Sequence, residues 1–199
     1  SGVNLSRYPF RVYPAFQKEV KFVIVARLIK EKGIKLFMDA ALALKQNFPL
    51  ASFHIIGAPD NTPSAIALEE LQELHDKGVV VYHGSKSNVP DFLKEMHVFV
   101  LPTYYREGVP RSLLEALSIG MPIITTNTPG CKETVFKEEN GMLIPPKNLE
   151  SLIEACSYFL NNPGEIVRMG EQSRKLAEKK FDVHIINKNL INYIDAVLR

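Results

Sequence analysis

Cysteine is scarce in this chain: Cys131 and Cys156 are the only two, far apart and without the short spacing of a metal-binding pair. They read as buried thiols of a cytosolic protein and not as a disulfide staple. Long apolar runs are missing as well, since none approaches the ~20 residues that cross a bilayer. Charge of one sign is not in excess: 24 Lys and Arg face 22 Asp and Glu, for a formal net charge of +2. That near balance argues against a dedicated nucleic-acid surface. No internal repeat or low-complexity tract is visible, which removes solenoids and disordered arrays.

What is present is ordinary globular material. Of 199 residues, 46% are hydrophobic and 23% charged, ample for a core in one large domain or two small ones. Short β-branched runs predict strands at Lys21–Ala26, Ala51–Ile56, Val79–Tyr82, Val98–Leu101, Pro122–Thr126 and Met142–Ile144. Helices are expected at Ile34–Asn47, Ser64–Lys77, Asn88–Met96, Pro110 to Ile119, Leu149–Asn161, Pro163–Lys180 and Val183–Leu198, with Asp182 set to cap the last. Such alternation predicts an α/β fold: a Rossmann-like, doubly wound, mostly parallel sheet with helices on both faces and a helical C-terminal end. Ligands of these sheets sit beyond the carboxyl ends of the strands. Arg27, Gly57, Gly84 and Glu107 all follow expected strands, so four separate turns converge on one rim. His54 lies inside a strand and reads as a satisfied core residue.

One stretch carries the most chemistry: Tyr105-Arg106-Glu107-Gly108-Val109-Pro110-Arg111-Ser112-Leu113-Leu114-Glu115. Pro110 suits the first position of a helix, where its missing N–H costs nothing. Val109 has no side-chain oxygen to cap that helix, so the N–H groups of Arg111, Ser112 and Leu113 lack a local acceptor. A helix end of this kind attracts an anion, and phosphate fits best. Glu107 and Glu115 bracket it. Acids beside a phosphate site repel the ligand unless they hold hydroxyl groups, a combination that suggests a sugar nucleotide. The residues alone leave a plainer alternative, an ordinary turn whose amides meet Ser112 or water.

The Glu-x7-Glu spacing of this stretch resembles the signature of the retaining glycosyltransferases of family 4, which have the GT-B fold. Arg27-x4-Lys32-Gly33 resembles the family's Arg-x4-Lys-Gly element, and Pro129-Gly130-x-x-Glu133 its Pro-Gly-x-x-Glu element. Gly2-Val3-Asn4-Leu5 is similar to the segment where the family's chain leaves its first domain for its second. Through Gly57-Ala58-Pro59-Asp60-Asn61 and the Arg106 to Ala116 stretch, the likeness is to transferases of bacterial capsule and surface-polysaccharide assembly. The resemblance implies the C-terminal, donor-binding half of a GT-B enzyme that moves a sugar from a nucleoside diphosphate sugar to a glycan or lipid-linked acceptor, with retention.

The resemblance also implies roles for particular residues. Arg27 and Lys32 hold the diphosphate and, with Glu107 on the donor sugar's hydroxyls, form the catalytic set. Gly108, Val109, Arg111, Ser112 and Glu115 contact the donor, Glu115 through the ribose, while Gly84, Ser85 and Lys86 lie near the base. No cofactor and no metal are expected, because Asp-x-Asp occurs nowhere and the cations take the metal's place. The expected donor is a UDP-sugar. There is one departure: many relatives have Gly where this chain has Pro110, which removes a backbone donor that Arg111 is placed to replace. Residues 1–20 are expected as interdomain linker, 21–180 as the nucleotide-sugar domain and 181–199 as a terminal helix that packs back on a missing first domain. Other expected partners are the acceptor and no nucleic acid; the expected location is the cytoplasm, at the inner membrane through the first domain.

Two further readings stay open on the sequence: a sugar-nucleotide epimerase of the same architecture, and a nucleotide-binding module without catalysis. The acceptor site and the family's usual catalytic histidine are both expected on the first domain. The isolated chain is therefore predicted to bind nucleotide weakly and to turn over little or nothing, and a measurable transferase rate from it refutes that.

Overall fold

Four consecutive apolar residues with no polar alternation need cover on both faces, and the chain supplies it. Residues 1–13, 19–136 and 139–197 are described by a computed structural model. Six strands form one parallel sheet: β1 (Lys21–Val25), β2 (Ser52–Ile56), β3 (Val81–Tyr82), β4 (Val98–Leu101), β5 (Ile123–Thr126) and β6 (Gly141–Ile144). Their order is β3-β2-β1-β4-β5-β6. All four residues of β4 are buried, as are all four of β5. Phe22 on β1 and Phe53 on β2 are register partners whose rings stack with centroids 5.0 Å apart, and Phe37 meets Phe53 edge-on.

The described residues form seven α-helices: α1 (Ile34–Lys45), α2 (Leu68–Asp76), α3 (Val89–Leu93), α4 (Arg111–Ile119), α5 (Leu149–Asn161), α6 (Gly164–Leu176) and α7 (Val183–Val197). Helix α1 buries the stripe Ile34, Phe37, Met38, Ala40, Ala41 and Leu44, and packs against α5. Helix α4 packs against α6 and buries every residue from Leu113 to Ile119. Crossovers of one hand that run outward in opposite directions put α1 and α4 on opposite faces, which makes the sheet doubly wound. Cys131 and Cys156 are free and buried.

Three local expectations are corrected. The helix expected from Ser64 starts only at Leu68, because the stretch before it is tied to the loop after β1. Lys30 N–H donates to Ser64 O (2.8 Å) and Ile66 N–H to Leu28 O (2.9 Å). The third strand shrinks to two residues because the amides of Val79 and Val80 both turn back to Leu74 O. Pro110 stands before its helix with ψ 129°, not inside it.

The opening segment lies across the ends of α4 and α6. Val3 bridges to Asp182, Tyr8 is buried, and Tyr8 O accepts from Ser118 Oγ (2.8 Å) and Arg174 Nη1 (3.3 Å). At the other end Asp182 Oδ1 accepts from His184 N–H (2.9 Å) and caps α7. Along α7, Ile185, Leu190, Ile191, Tyr193 and Ile194 are exposed. Leu198, the last residue of the helix expected there, lies outside the described residues.

Two histidines are held neutral. His97 Nδ1 accepts from Lys21 N–H (3.0 Å), and burial, then Arg11 and Lys21, push its pKa down to about 4. His54 meets His83 (2.9 Å) and Ser52 Oγ (3.0 Å), and burial pushes it down to about 4 as well. The unfolded chain takes up these protons near pH 6.5 and the folded one only near 4, so stability falls as pH drops through that window. The melting temperature is predicted to be level above about pH 7 and to fall from there toward pH 4. His97→Asn, whose Oδ1 still accepts from Lys21, is predicted to flatten that slope; an unchanged slope by calorimetry refutes the assignment.

Candidate functional site

The order of the sheet reverses between β1 and β4: one leads outward to β2, the other to β5. Their following loops therefore leave the carboxyl rim side by side, with no crossover helix between them, which is where such sheets leave a crevice. The two loops are stitched together, since Thr103 Oγ1 and Tyr104 N–H both donate to Glu31 O at 2.9 Å. Gly33 ends the short turn Lys30–Lys32 at φ +78°, and a Cβ there would stand 2.4 Å from Pro102 O. Only glycine fits that contact.

This approach brings Lys32 to Glu107. Their side chains form an ion pair, 13% and 23% exposed, with the ammonium 5.2 Å above the Tyr105 ring. An ammonium has three N–H donors, so the pairing leaves capacity for a second anion. The loop after β5 supports the far side. A Cβ on Gly130 would stand 2.4 Å from Gly108 O, so that loop rests directly on the backbone beside Glu107.

At the start of α4 no side chain caps the helix. Leu113 N–H, expected to be open, donates to Pro110 O at 3.2 Å, a tight first turn that follows from Pro110 standing outside the helix. Among the described residues the amides of Arg111 and Ser112 have no backbone or side-chain acceptor. Arg111 Nε donates to Glu115 Oε1 (3.1 Å); its side chain is 76% exposed while that of Glu115 is 11% exposed. Tyr8 lies near the same carboxylate, and burial, then the neighbouring Glu115, push its phenol up to about 12.

The remaining candidates are spread along the rim. Arg27 Nη1 donates to Asp60 Oδ2 (3.0 Å) in the loop after β2. Gly57 N–H donates to Gly84 O (3.0 Å), which ties the loop after β3 to the same edge. Ser85 and Lys86 are exposed there, Lys86 above the Phe92 ring. Val109 is half-buried against the core and Gly108 exposed. Three cation–carboxylate pairs thus line one rim: Arg27–Asp60, Lys32–Glu107 and Arg111–Glu115. Gly84, Ser85 and Lys86 stand apart, separated from β4 by two strands.

Two clefts of about 610 and 710 Å³ lie elsewhere, one beside Lys132 and Lys180, the other beside β6 and α5. Glu133 of the Pro-Gly-x-x-Glu element lines the first, paired with Lys180, and none of the other candidate residues lines either, so the rim stands out by its chemistry and not by its depth. Among the described residues no group of three or more His, Cys, Asp or Glu is arranged to hold a metal ion. Sequence reasoning missed Asp60, Glu31 and Tyr8 as parts of the site. Asp60 and Glu31 carried a faint signal, an acid beside a candidate cation or turn; Tyr8 carried none.

The chain matches the family described as "Glycosyl transferases group 1" over residues 9–176. It belongs to that family. It is 29% identical over 210 residues to the N,N'-diacetylbacillosaminyl-diphospho-undecaprenol alpha-1,3-N-acetylgalactosaminyltransferase of Campylobacter jejuni, covering 100% of this chain and 53% of that one. It is 28% identical over 180 residues to the capsular polysaccharide biosynthesis glycosyltransferase CapM of Staphylococcus aureus, covering 89% and 47%. Among solved structures, Anabaena Alr3699/HepE in complex with UDP superposes with a TM-score of 0.84 at 18% identity, over 98% of this chain and 56% of that one. The fold is the Rossmann-like α/β fold that makes up one half of the GT-B architecture. The chain spans about half the length of the curated relatives it matches.

In this glycosyltransferase-family domain, Gly33→Ala is predicted to cost about 1–3 kcal/mol, because it combines a strained φ with a backbone clash. Gly164→Ala, where a Cβ meets nothing within 4 Å, serves as the near-neutral control. Equal melting temperatures for the two variants would contradict the packed-loop account.

Proposed function

We propose that this chain is the donor-binding half of a retaining glycosyltransferase that uses a nucleoside diphosphate sugar and passes the sugar to a glycan or lipid-linked acceptor in surface-polysaccharide or glycoconjugate assembly. The observation that carries the reading is the pairing of Lys32 with Glu107 at the reversal of strand order, beside a helix whose first amides are uncapped. As the bond between the anomeric carbon and the diphosphate oxygen breaks, charge gathers on the leaving diphosphate. Arg27, Lys32 and the amides of Arg111 and Ser112 stabilise that charge, and such preorganised stabilisation is what accelerates a reaction of this kind most. Glu107 and Glu115, each already neutralised by a cation, accept hydrogen bonds from sugar and ribose hydroxyls without repelling the phosphates. With no Asp-x-Asp in the chain, these cations stand in this proposal where a metal would otherwise bridge the diphosphate.

A UDP-sugar is the donor we favour, supported by the HepE structures with UDP and UDP-glucose. The C. jejuni relative is named for an undecaprenol-diphosphate-linked acceptor, which favours a lipid-linked acceptor and a site at the cytoplasmic face of the inner membrane. The exposed apolar residues of α7 would then brace a first domain that carries the acceptor site. Calorimetric titration of UDP-, GDP- and ADP-sugars is expected to give the tightest binding with a UDP-sugar. In the full-length protein, Lys32→Ala is expected to lower kcat about 10²–10³-fold with little change in melting temperature. Undiminished turnover in that variant sinks the proposal, and an epimer formed from UDP-N-acetylglucosamine without acceptor would replace it with an epimerase.

A further inference from the structure

Arg27 leaves the end of β1 and Asp60 lies in the loop after the neighbouring β2, where Arg27 Nη1 donates to Asp60 Oδ2 at 3.0 Å. The two partners are unequal, since the Arg27 side chain is 56% exposed and that of Asp60 only 11%. Asp60 is pinned from several directions. Its Oδ1 accepts from Thr62 N–H (2.9 Å), and Leu28 N–H donates to Ala58 O (3.0 Å), which binds the two loops backbone to backbone. Pro59 and Pro63 flank it and restrict the backbone further. Glu31, the other acid nearby, accepts from Ser64 Oγ through Oε1 (2.6 Å), and its Oε2 makes no hydrogen bond to Arg27. The acid is the fixed member of the pair and the cation the movable one.

We infer that Asp60 is the positioning residue for Arg27, holding the guanidinium by one nitrogen so that its remaining N–H donors face the crevice. A guanidinium carries five N–H donors in a rigid plane, so one edge can stay on Asp60 while another meets the diphosphate. Without that anchor, Arg27 is a long exposed side chain that must be ordered afresh at each binding event. The inference rests on the transferase reading above and adds a residue to it.

The test is a double-mutant cycle in the full-length protein, read as UDP affinity by calorimetry, kcat with a UDP-sugar, and melting temperature. In Asp60→Asn the Oδ1 still accepts from Thr62, while the amide no longer pairs with the guanidinium. Asp60→Asn is expected to lower kcat about tenfold with the melting temperature unchanged, since misplacing a transition-state contact costs that order of rate. Asp60→Glu is expected to recover part of the loss. In an Arg27→Ala background, Asp60→Asn is expected to add nothing, a coupling that a merely structural acid would not show. Multiplying effects, or UDP binding that is tighter or unchanged with kcat intact in Asp60→Asn, overturn the inference while leaving the transferase reading in place. If Arg27→Ala alone changes neither UDP affinity nor kcat, the diphosphate grip fails and the role of Asp60 falls with it.

Discussion

The backbone oxygen of Glu31 accepts from Thr103 Oγ1 and from Tyr104 N–H, and in doing so locks the loop after β1 to the loop after β4. Everything proposed for the rim depends on that lock. Sheet order alone places the two loops side by side, but hydrogen-bonded loops keep a defined separation where unpaired ones drift. Gly33 lets the backbones touch, and Lys32 is then delivered to Glu107 as a consequence of main-chain geometry. The buried threonines Thr125 and Thr126 extend the same arrangement by donating to Leu101 O and Thr103 O. The loops of the rim are therefore joined to one another by main-chain and threonine hydrogen bonds.

Charge at the rim is balanced locally. Arg27, Lys32 and Arg111 each have a carboxylate partner, so none of these three cations stands unscreened. Pairs with an exposed cation, as at Arg27 and Arg111, contribute little to stability; the consequence of all three lies in what can join them. Arginine and lysine have more donors than one carboxylate uses, and each carboxylate has lone pairs to spare. A ligand with phosphates and hydroxyls can add to such pairs without breaking them, whereas a purely anionic ligand gains only half of what the rim offers.

Much of the scaffold was legible in the residues. The runs Phe22-Val23-Ile24 and Val98-Phe99-Val100-Leu101 are apolar at every position because both faces are covered, a pattern that tertiary context reinforces. Asp182 as the cap of α7 acts within a few residues of itself and was readable for that reason. One error falls where a segment bonds to something distant in sequence, since Ser64 to Ala67 is held out of the helix by Leu28 and Lys30. Another is local, since Val79 and Val80 are drawn off the sheet by Leu74 a few residues earlier.

The candidate residues divide along the same line. Lys32, Glu107, Arg111 and Glu115 could be named as candidates because the spacing of residues within one turn or one helix survives any folding of the rest. Which cation meets which acid was not, since Lys32 and Glu107 are 75 residues apart and Arg27 and Asp60 are 33 apart. Sequence by itself determined the alternating elements, the composition of each turn and the family, all of which rest on local chemistry. The tertiary structure decided the pairings at the rim and the approach of Tyr8 to Glu115, because those contacts exist only once the parallel strands have set their order and brought separate loops to one edge.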